Sequence, residues 1–383
     1  MIKIDASVLE EKTYYSEEKQ KKQSMIDRHV DWFVKTVSET DCPKDWGEQY
    51  EGKKYKDYLK DVLEFIEGVP FEEQIRPYIV GDKSQIKTLR ENNVRLNGID
   101  GRIKEEKLEL DQKIKRKNSK KLFKAFCYEK FCDSHATEEY WDAYKFCKGL
   151  NVAVCPYCNR QYIFTVAEHE EHQRAGSVTC YVRPELDHFY PKDIYPYLSC
   201  NLYNLIPSCS VCNHAKSDTD FGETDESKLI YPYGEEFGDD GVFKVTIDGA
   251  YIETEKLFKG MYTDDEQKEQ LRICIESSGI KKDKVDESKN VFHLEPIYNM
   301  HKLDLVEFLK RYRNYCDPKR TELLNIFKHA QPVAHIDESQ LKIFLDIMSC
   351  QLETQILGMY DTSEQYPLKK LKTDIKKQLD GNR

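Results

Sequence analysis

Apolar residues recur every three to four positions through the first 148 residues, as at Tyr55, Tyr58, Leu59, Val62, Leu63 and Ile66, and that period predicts helices. Residues 83–132 contain few breakers beyond Gly98 and Gly101, so helix is expected there as well. The pattern changes at Gly149. From 149 to 233 prolines, glycines and aromatics crowd together without a long period, and the region reads as small, loop-rich and pinned by metal. Within it, 160–166 alternates and 178–182 is β-branched, which predicts two short strands. They are joined by a polar segment carrying Glu168, His169, Glu170, Glu171 and His172, whose histidines read as solvent-exposed. Beyond 233, the strand-like runs 242–247 and 250–254 flank Asp248-Gly249, a pair that accepts the positive φ values of a tight hairpin turn. Helical periodicity returns at 297–312, with Met300, Leu303, Val306, Phe308, Leu309 and Tyr312, and again at 341–357, before a basic tail at 369–377. No repeat or low-complexity tract is evident. The expected fold class is α+β, mostly α-helical: a helical part at 1–148, a small metal-stabilised core at 149–233, and a mostly helical part at 234–383 with a β-hairpin near 242–254.

The chain has 383 residues, enough for two or three domains. Hydrophobic residues are 39% and charged residues 33%, the first below and the second above the average for soluble domains. With a mean hydropathy of −0.74 and no apolar run long enough to span a bilayer, a membrane protein is not expected. The first thirty residues are too charged for a signal peptide, so a soluble, cytoplasmic protein is expected. The 59 Lys and Arg against 69 Asp and Glu leave a net charge of −10, which repels a polyanion at long range. Any nucleic-acid contact must then come from local basic patches. Lys113, Lys115, Arg116, Lys117, Lys120, Lys121 and Lys124 form one such run, readable as a solvated helix face or as a phosphate contact.

Thirteen cysteines in a chain of this length, an odd number, read as thiols or metal ligands rather than disulfides. Cys155-Pro156-Tyr157-Cys158 and Cys209-Ser210-Val211-Cys212 are both C-x-x-C. Two such turns can aim four sulfurs at one Zn²⁺ at about 2.3 Å. The fifty residues between the pairs exceed the spacing of compact zinc ribbons. A redox C-x-x-C is the rival, but Cys155 and Cys158 lack the strand-and-helix context that such a motif uses.

Between the pairs stand Asp187-His188, then Asn204-Leu205, and directly after Cys212 come Asn213, His214 and Lys216. If Asp187 and Asn213 both offer oxygens to one ion, the site is oxygen-rich and open, which favours Mg²⁺ or Mn²⁺. Such an ion holds phosphate oxygens, and a neutral imidazole beside it can take a proton from an attacking water. His188 is the candidate base. Neighbours in a strand face opposite ways, so Asp187 and His188 can serve the ion and the water separately. Lys216 can touch a phosphate, or be a surface lysine. His301 reads as a packed or surface residue of an amphipathic helix.

This order of residues, C-x-x-C, Asp-His, Asn-Leu, then C-x-x-C-Asn-x-x-Lys over residues 154–217, resembles HNH endonucleases, whose ββα-metal core sits beside a four-cysteine zinc knuckle. The resemblance implies that His188 is the general base, Asp187 a metal ligand, and Asn204 the brace of the loop that holds His188. It implies that Asn213 is the second ligand in place of the family's frequent final histidine, with His214 the alternative. The segment between Cys158 and Asp187 is longer than in minimal members, so an insertion is expected at 167–179. Residues 186–212, and the stretch 294–302, are more narrowly similar to the HNH subunits of Septu-type bacterial anti-phage systems, which work with an SMC/ABC-like ATPase.

The expected function is therefore a metal-dependent endonuclease acting on nucleic acid, DNA first, as the effector of an anti-phage complex. Zn²⁺ would be structural and Mg²⁺ or Mn²⁺ catalytic. With no P-loop G-x-x-x-x-G-K-[ST] in the chain, nucleotide hydrolysis would come from a partner. The rival from another class is a non-catalytic zinc-stabilised binding module, which needs Cys155, Cys158, Cys209 and Cys212 but not Asp187, His188 or Asn213.

Overall fold

Ser24 opens the first long helix by accepting the Asp27 backbone N–H at 3.1 Å, the N-cap bond whose loss costs about 1 kcal/mol. That helix, α1 (Met25–Glu39), buries Met25, Ile26, His29, Val30, Trp32, Phe33 and Val37 on one face. The structure, a computed structural model, describes residues 1–16, 21–92, 110–133, 140–168, 180–221, 228–262, 268–315, 325 and 365–381. Helix α2 (Tyr55–Val62) buries Tyr55, Tyr58 and Leu59. The helical run expected to reach Ile66 stops at Val62, because Glu64 turns left-handed at φ 51°. Ile66 is left 69% exposed.

Helices α3 (Phe71–Val80) and α4 (Lys83–Asn92) follow. Then come α5 (Leu110–Ala125), α6 (Tyr128–Cys132) and α7 (Ala143–Leu150). Cys127, at φ 56°, separates α5 from α6. The strand expected at 160–166 lies instead at β1 (Val166–Glu168), paired antiparallel with β2 (Cys180–Val182). Upstream, residues 155–159 are taken up by the first cysteine turn, leaving a bridge between Val154 and Tyr162. The segment containing His169 and His172 lies outside the described residues.

Strand β3 (Glu185–His188) pairs antiparallel with β4 (Leu205–Ser208), Asp187 opposite Ile206 and His188 opposite Leu205. Cys209 is the N-cap of the helix that follows, α8 (Ser210–Lys216). All of these elements belong to one of two units, Met1–Glu236 and Phe237–Arg383. Residues 1–148 and 149–233, read from composition as separate parts, fall in the same unit. The physical reason is buried polar and aromatic contact across the supposed boundary. Tyr78 of α3 meets Tyr197 edge-on at 6.2 Å, and His29 of α1 bonds the Cys200 carbonyl.

In the second unit β5 (Gly241–Ile247) and β6 (Ala250–Tyr251) form the expected hairpin, with Asp248 and Gly249 at φ 48° and 80°. A third strand that the pattern did not reveal, β7 (Leu271–Ser277), pairs along the whole of β5. Open strand edges are costly when buried, and here helix side chains close them. Asp374 and Gln378 of α12 (Lys369–Gly381) accept the Phe243 and Val245 N–H groups. On the other edge Asn299 and Glu295 accept those of Ile273 and Ile275. Between β7 and α12 lie α9 (Lys282–Val291), α10 (Leu294–Tyr298) and α11 (Lys302–Tyr315). Val306, Phe308, Leu309 and Tyr312 are buried, while Met300 and Leu303 are exposed. The periodic stretch at 341–357 lies outside the described residues. Helices and small antiparallel sheets thus alternate along the chain, an α+β arrangement. Among the described residues no helix is long and apolar enough to cross a membrane.

Candidate active site

The two C-x-x-C turns meet. The Sγ atoms of Cys155, Cys158, Cys209 and Cys212 all lie within 4.8 Å of one another, and Cys158 and Cys209 are 4.0 Å apart. A tetrahedron of sulfurs at Zn–S bond length has edges of about 3.8 Å, so a slight contraction closes it. All four are buried free thiols. Hydrogen bonds from Cys155, Cys209 and Cys212 pull the Cys158 thiol well below its ordinary pKa. The cluster could hold a metal ion such as zinc. Local backbone builds it: the Asn159 N–H bonds the Cys155 carbonyl at 2.8 Å, with Asn159 left-handed at φ 49°, and the Asn213 N–H bonds the Cys209 carbonyl at 3.0 Å. Among the described residues this is the one group of three or more His, Cys, Asp or Glu side chains that converge on a point.

Beside it lies a cleft of about 470 Å³, lined by β3, by Asn213 and His214 of α8, by Tyr128 and Cys132 of α6, and by Arg183 and Lys192. Alternation along β3 separates Glu185 and Asp187 from Leu186 and His188. Asp187, 3% exposed, accepts the Tyr157 hydroxyl at 2.6 Å on Oδ2 and the Lys216 ammonium at 3.1 Å on Oδ1. Lys216 also donates to the His188 carbonyl at 2.7 Å and is itself 1% exposed. That corrects both sequence readings of Lys216: it is neither a surface lysine nor free to grip a phosphate, but the buried counter-charge of Asp187. Asn213 donates from Nδ2 to Glu185 at 2.7 Å. The two expected oxygen donors, Asp187 and Asn213, therefore share no partner, and Glu185 enters the site unforeseen. Its signal was present in the sequence, since i and i+2 on a strand share a face.

His188 is buried, and its Nε2 lies 2.9 Å from the Ser199 carbonyl. A carbonyl oxygen only accepts, so Nε2 carries the proton and Nδ1 keeps its lone pair. Burial, with the positive charges of Lys192 and Lys216 adding to it, pushes the imidazole pKa down to about 3. The ring is neutral at physiological pH. The Tyr128 ring lies edge-on at 4.5 Å and walls it from one side.

Asn204 is fully buried and does not line the cleft. Its Oδ1 accepts the Tyr190 N–H at 2.7 Å, and its Nδ2 donates to the Tyr190 and Leu198 carbonyls at 3.0 and 3.1 Å. It ties together the two ends of the 190–198 loop that runs from His188 to Ser199. Tyr157, the third residue of the first C-x-x-C, and Tyr128, Ser199 and Lys192 carried no signal that sequence reasoning used. His214 lines the cleft from an exposed position. His301 pairs with Asp304 at 2.9 Å in the second unit.

The basic run lies on α5, where Lys115, Lys117, Lys120 and Lys124 are exposed and Lys121 donates to the Trp46 carbonyl. The charges of Lys192, Arg116 and Lys120 act together on the Asp193 carboxyl, whose burial and the nearby Asp218 raise its pKa against them. Lys192 also sits over the Phe123 and Tyr128 rings, at 5.3 and 5.8 Å. The chain matches no protein-family model, no curated protein and no solved structure.

Proposed function

We propose that the chain is a metal-dependent endonuclease of the HNH type, hydrolysing phosphodiester bonds of DNA as the effector of an anti-phage complex with an SMC/ABC-type ATPase. The observation that carries the reading is His188: a neutral imidazole with one nitrogen locked by the Ser199 carbonyl and the other unprotonated, in a cleft shared with Glu185, Asp187 and Asn213. Support also comes from the adjacency of Cys212 and Asn213, which couples the thiol cluster to the cleft through one helix. The partner and the defence role rest on the sequence resemblance alone.

The oxygen set fits a hard dication. Each oxygen of Asp187 has one protein donor, and a carboxylate has about four acceptor sites, so Tyr157 and Lys216 leave room for a further bond. Glu185 and the Asn213 side-chain oxygen complete a set of the kind Mg²⁺ or Mn²⁺ takes. Bound to these residues, the ion would polarise the phosphate and stabilise charge on the leaving oxygen. His188 Nδ1 removes the proton from the attacking water. Lys216 holds Asp187 in place without competing for substrate, because it is buried. Arg183 and Lys192, with the exposed lysines of α5, offer phosphate contacts on a molecule whose net charge is otherwise repulsive. That balance makes cleavage by the isolated chain weak and dependent on recruitment.

The test is plasmid DNA incubated with Mg²⁺ or Mn²⁺, with and without the candidate ATPase, beside His188→Ala. Loss of the base should lower the rate by about 10²- to 10⁴-fold and leave folding intact. Equal activity of the two proteins would remove His188 from the chemistry. A second reading, a zinc-stabilised binding module, is favoured by one observation: Asp187 is buried in an ion pair with Lys216. Equal inactivity of both proteins in the presence of the ATPase would select it.

A further inference from the structure

We infer that His29, on α1 and far from the cleft in sequence, is a positioning residue for His188. The inference rests on the reading of His188 as the base. Two successive carbonyls each take an imidazole N–H: Ser199 from His188 Nε2 at 2.9 Å, and Cys200 from His29 Nε2 at 2.8 Å. His29 cannot turn over, because the Trp141 indole N–H donates to its Nδ1 at 3.0 Å and that nitrogen must keep a lone pair. Trp141, His29 and the Cys200 carbonyl therefore form a chain of bonds with a single direction. The ring itself is 0% exposed, stacked on Trp32 at 5.6 Å and edge-on to Phe131 at 5.1 Å.

The leverage is covalent. The peptide planes holding the Ser199 and Cys200 carbonyls meet at the Cys200 Cα and are related by two dihedral angles only. Fixing the second carbonyl restricts the swing of the first, which is the group that sets the tautomer and tilt of His188. Both flanks are held as well. Asn204 bonds the Leu198 carbonyl, and Asn201 donates to the carbonyls of Pro77 and Gly81 at 3.3 and 3.2 Å. Residues 198, 199, 200 and 201 are thus each tied to a different part of the fold, two of them to the N-terminal helices. The N-terminal region acts as the clamp of the base-holding loop, a role that nothing in its composition suggested.

A buried, satisfied histidine is more often a core group than a positioning one, and rescue separates the two. His29→Gln keeps a donor for Cys200 and an acceptor for Trp141, whereas His29→Leu keeps neither. Trp141→Phe retains His29 but frees its Nδ1, and serves if His29→Leu fails to fold. The full-length protein is read by the ¹H–¹⁵N signal of the His188 Nε2–H, assigned by its loss in His188→Ala, and by kcat and KM for plasmid cleavage. In His29→Leu and Trp141→Phe the signal should broaden into exchange with water, with kcat reduced about tenfold to a hundredfold and KM unchanged. In His29→Gln both should stay near wild type. An unchanged signal in folded His29→Leu and Trp141→Phe overturns the inference whether or not DNA is cut. A signal that still follows His29 in a protein that never cuts DNA even with the ATPase present sinks the nuclease reading and leaves the link between the two histidines standing.

Discussion

Acid should weaken the first unit through His29 by an amount that the structure sets. The ring is completely buried and burial lowers its pKa from 6.5 to about 4, the Cys200 carbonyl opposing only in part. In the unfolded chain the same imidazole titrates near 6.5. Between these values the unfolded state binds the proton and the folded state does not, so stability rises with pH across that window. The contribution is whole above about pH 6.5, shrinks as pH falls through the window, and is gone just below pH 4. At 1.36 kcal/mol per pH unit the span from 6.5 to 4 makes about 3 kcal/mol. The perturbation is pH, and the control is His29→Gln, which keeps the side-chain bonds and removes the titrating group. Urea unfolding followed by tryptophan fluorescence is the assay, since Trp32, Trp46 and Trp141 are the only tryptophans and all lie in the first unit. Protonation of His188 and of the cysteine cluster occurs in both proteins and cancels in the difference between their curves. Wild type should lose about 3 kcal/mol relative to His29→Gln between pH 7 and pH 4. A gap that does not change with pH would refute the reasoning, and a gap of the opposite sign would show that His29 is protonated in the folded protein.

Metal removal should act locally. A chelator strong enough to strip a four-thiolate site should abolish hydrogen-exchange protection of the Asn159 and Asn213 amides, which bond the Cys155 and Cys209 carbonyls, and leave the amides of β5 and β7 protected; unaltered protection at both asparagines would argue against a metal there. Lys216→Met strands the buried Asp187 carboxylate and should cost about 3–5 kcal/mol in urea unfolding, with a much smaller loss in an Asp187→Asn background. Equal losses in the two backgrounds would mean that the pair at 3.1 Å is not coupled. Gly81→Ala would place a Cβ 2.2 Å from the Pro77 carbonyl oxygen, one of the two acceptors of Asn201, and should cost about 1–3 kcal/mol; a neutral substitution would show that the end of α3 can shift without loss.

What was legible in the sequence was what depends on neighbours along the chain. The hairpin at Asp248-Gly249 could be read because a two-residue turn with positive φ at both positions needs those residue types. The four clustered cysteines could be read because each pair is confined to one tight turn, although their meeting across fifty residues could not be deduced from either turn alone. Asp187 and His188 were legible as adjacent polar residues, but their bonding partners were not. The carboxylate proved to be engaged by Tyr157 and Lys216, which stand 30 residues before it and 29 after it. No local pattern encodes such a partnership. The end of α2 was missed for a related reason: apolar period continues to Ile66, but Glu64 adopts a left-handed backbone that the period does not register.

The sequence by itself determined which turns could bring cysteines together, that an aspartate and a histidine stand side by side, and that much of the first 148 residues is helical. Only tertiary structure decided that the N-terminal helices and the region of the cysteine pairs share one unit, that Lys216 is buried, and that His29 and His188 hold adjacent carbonyls. The reason is range. Backbone conformation responds to residues three or four positions away, whereas protonation, burial and the bonding of a side chain respond to whatever the fold brings within a few ångströms, and at this site nearly all of it comes from distant parts of the chain.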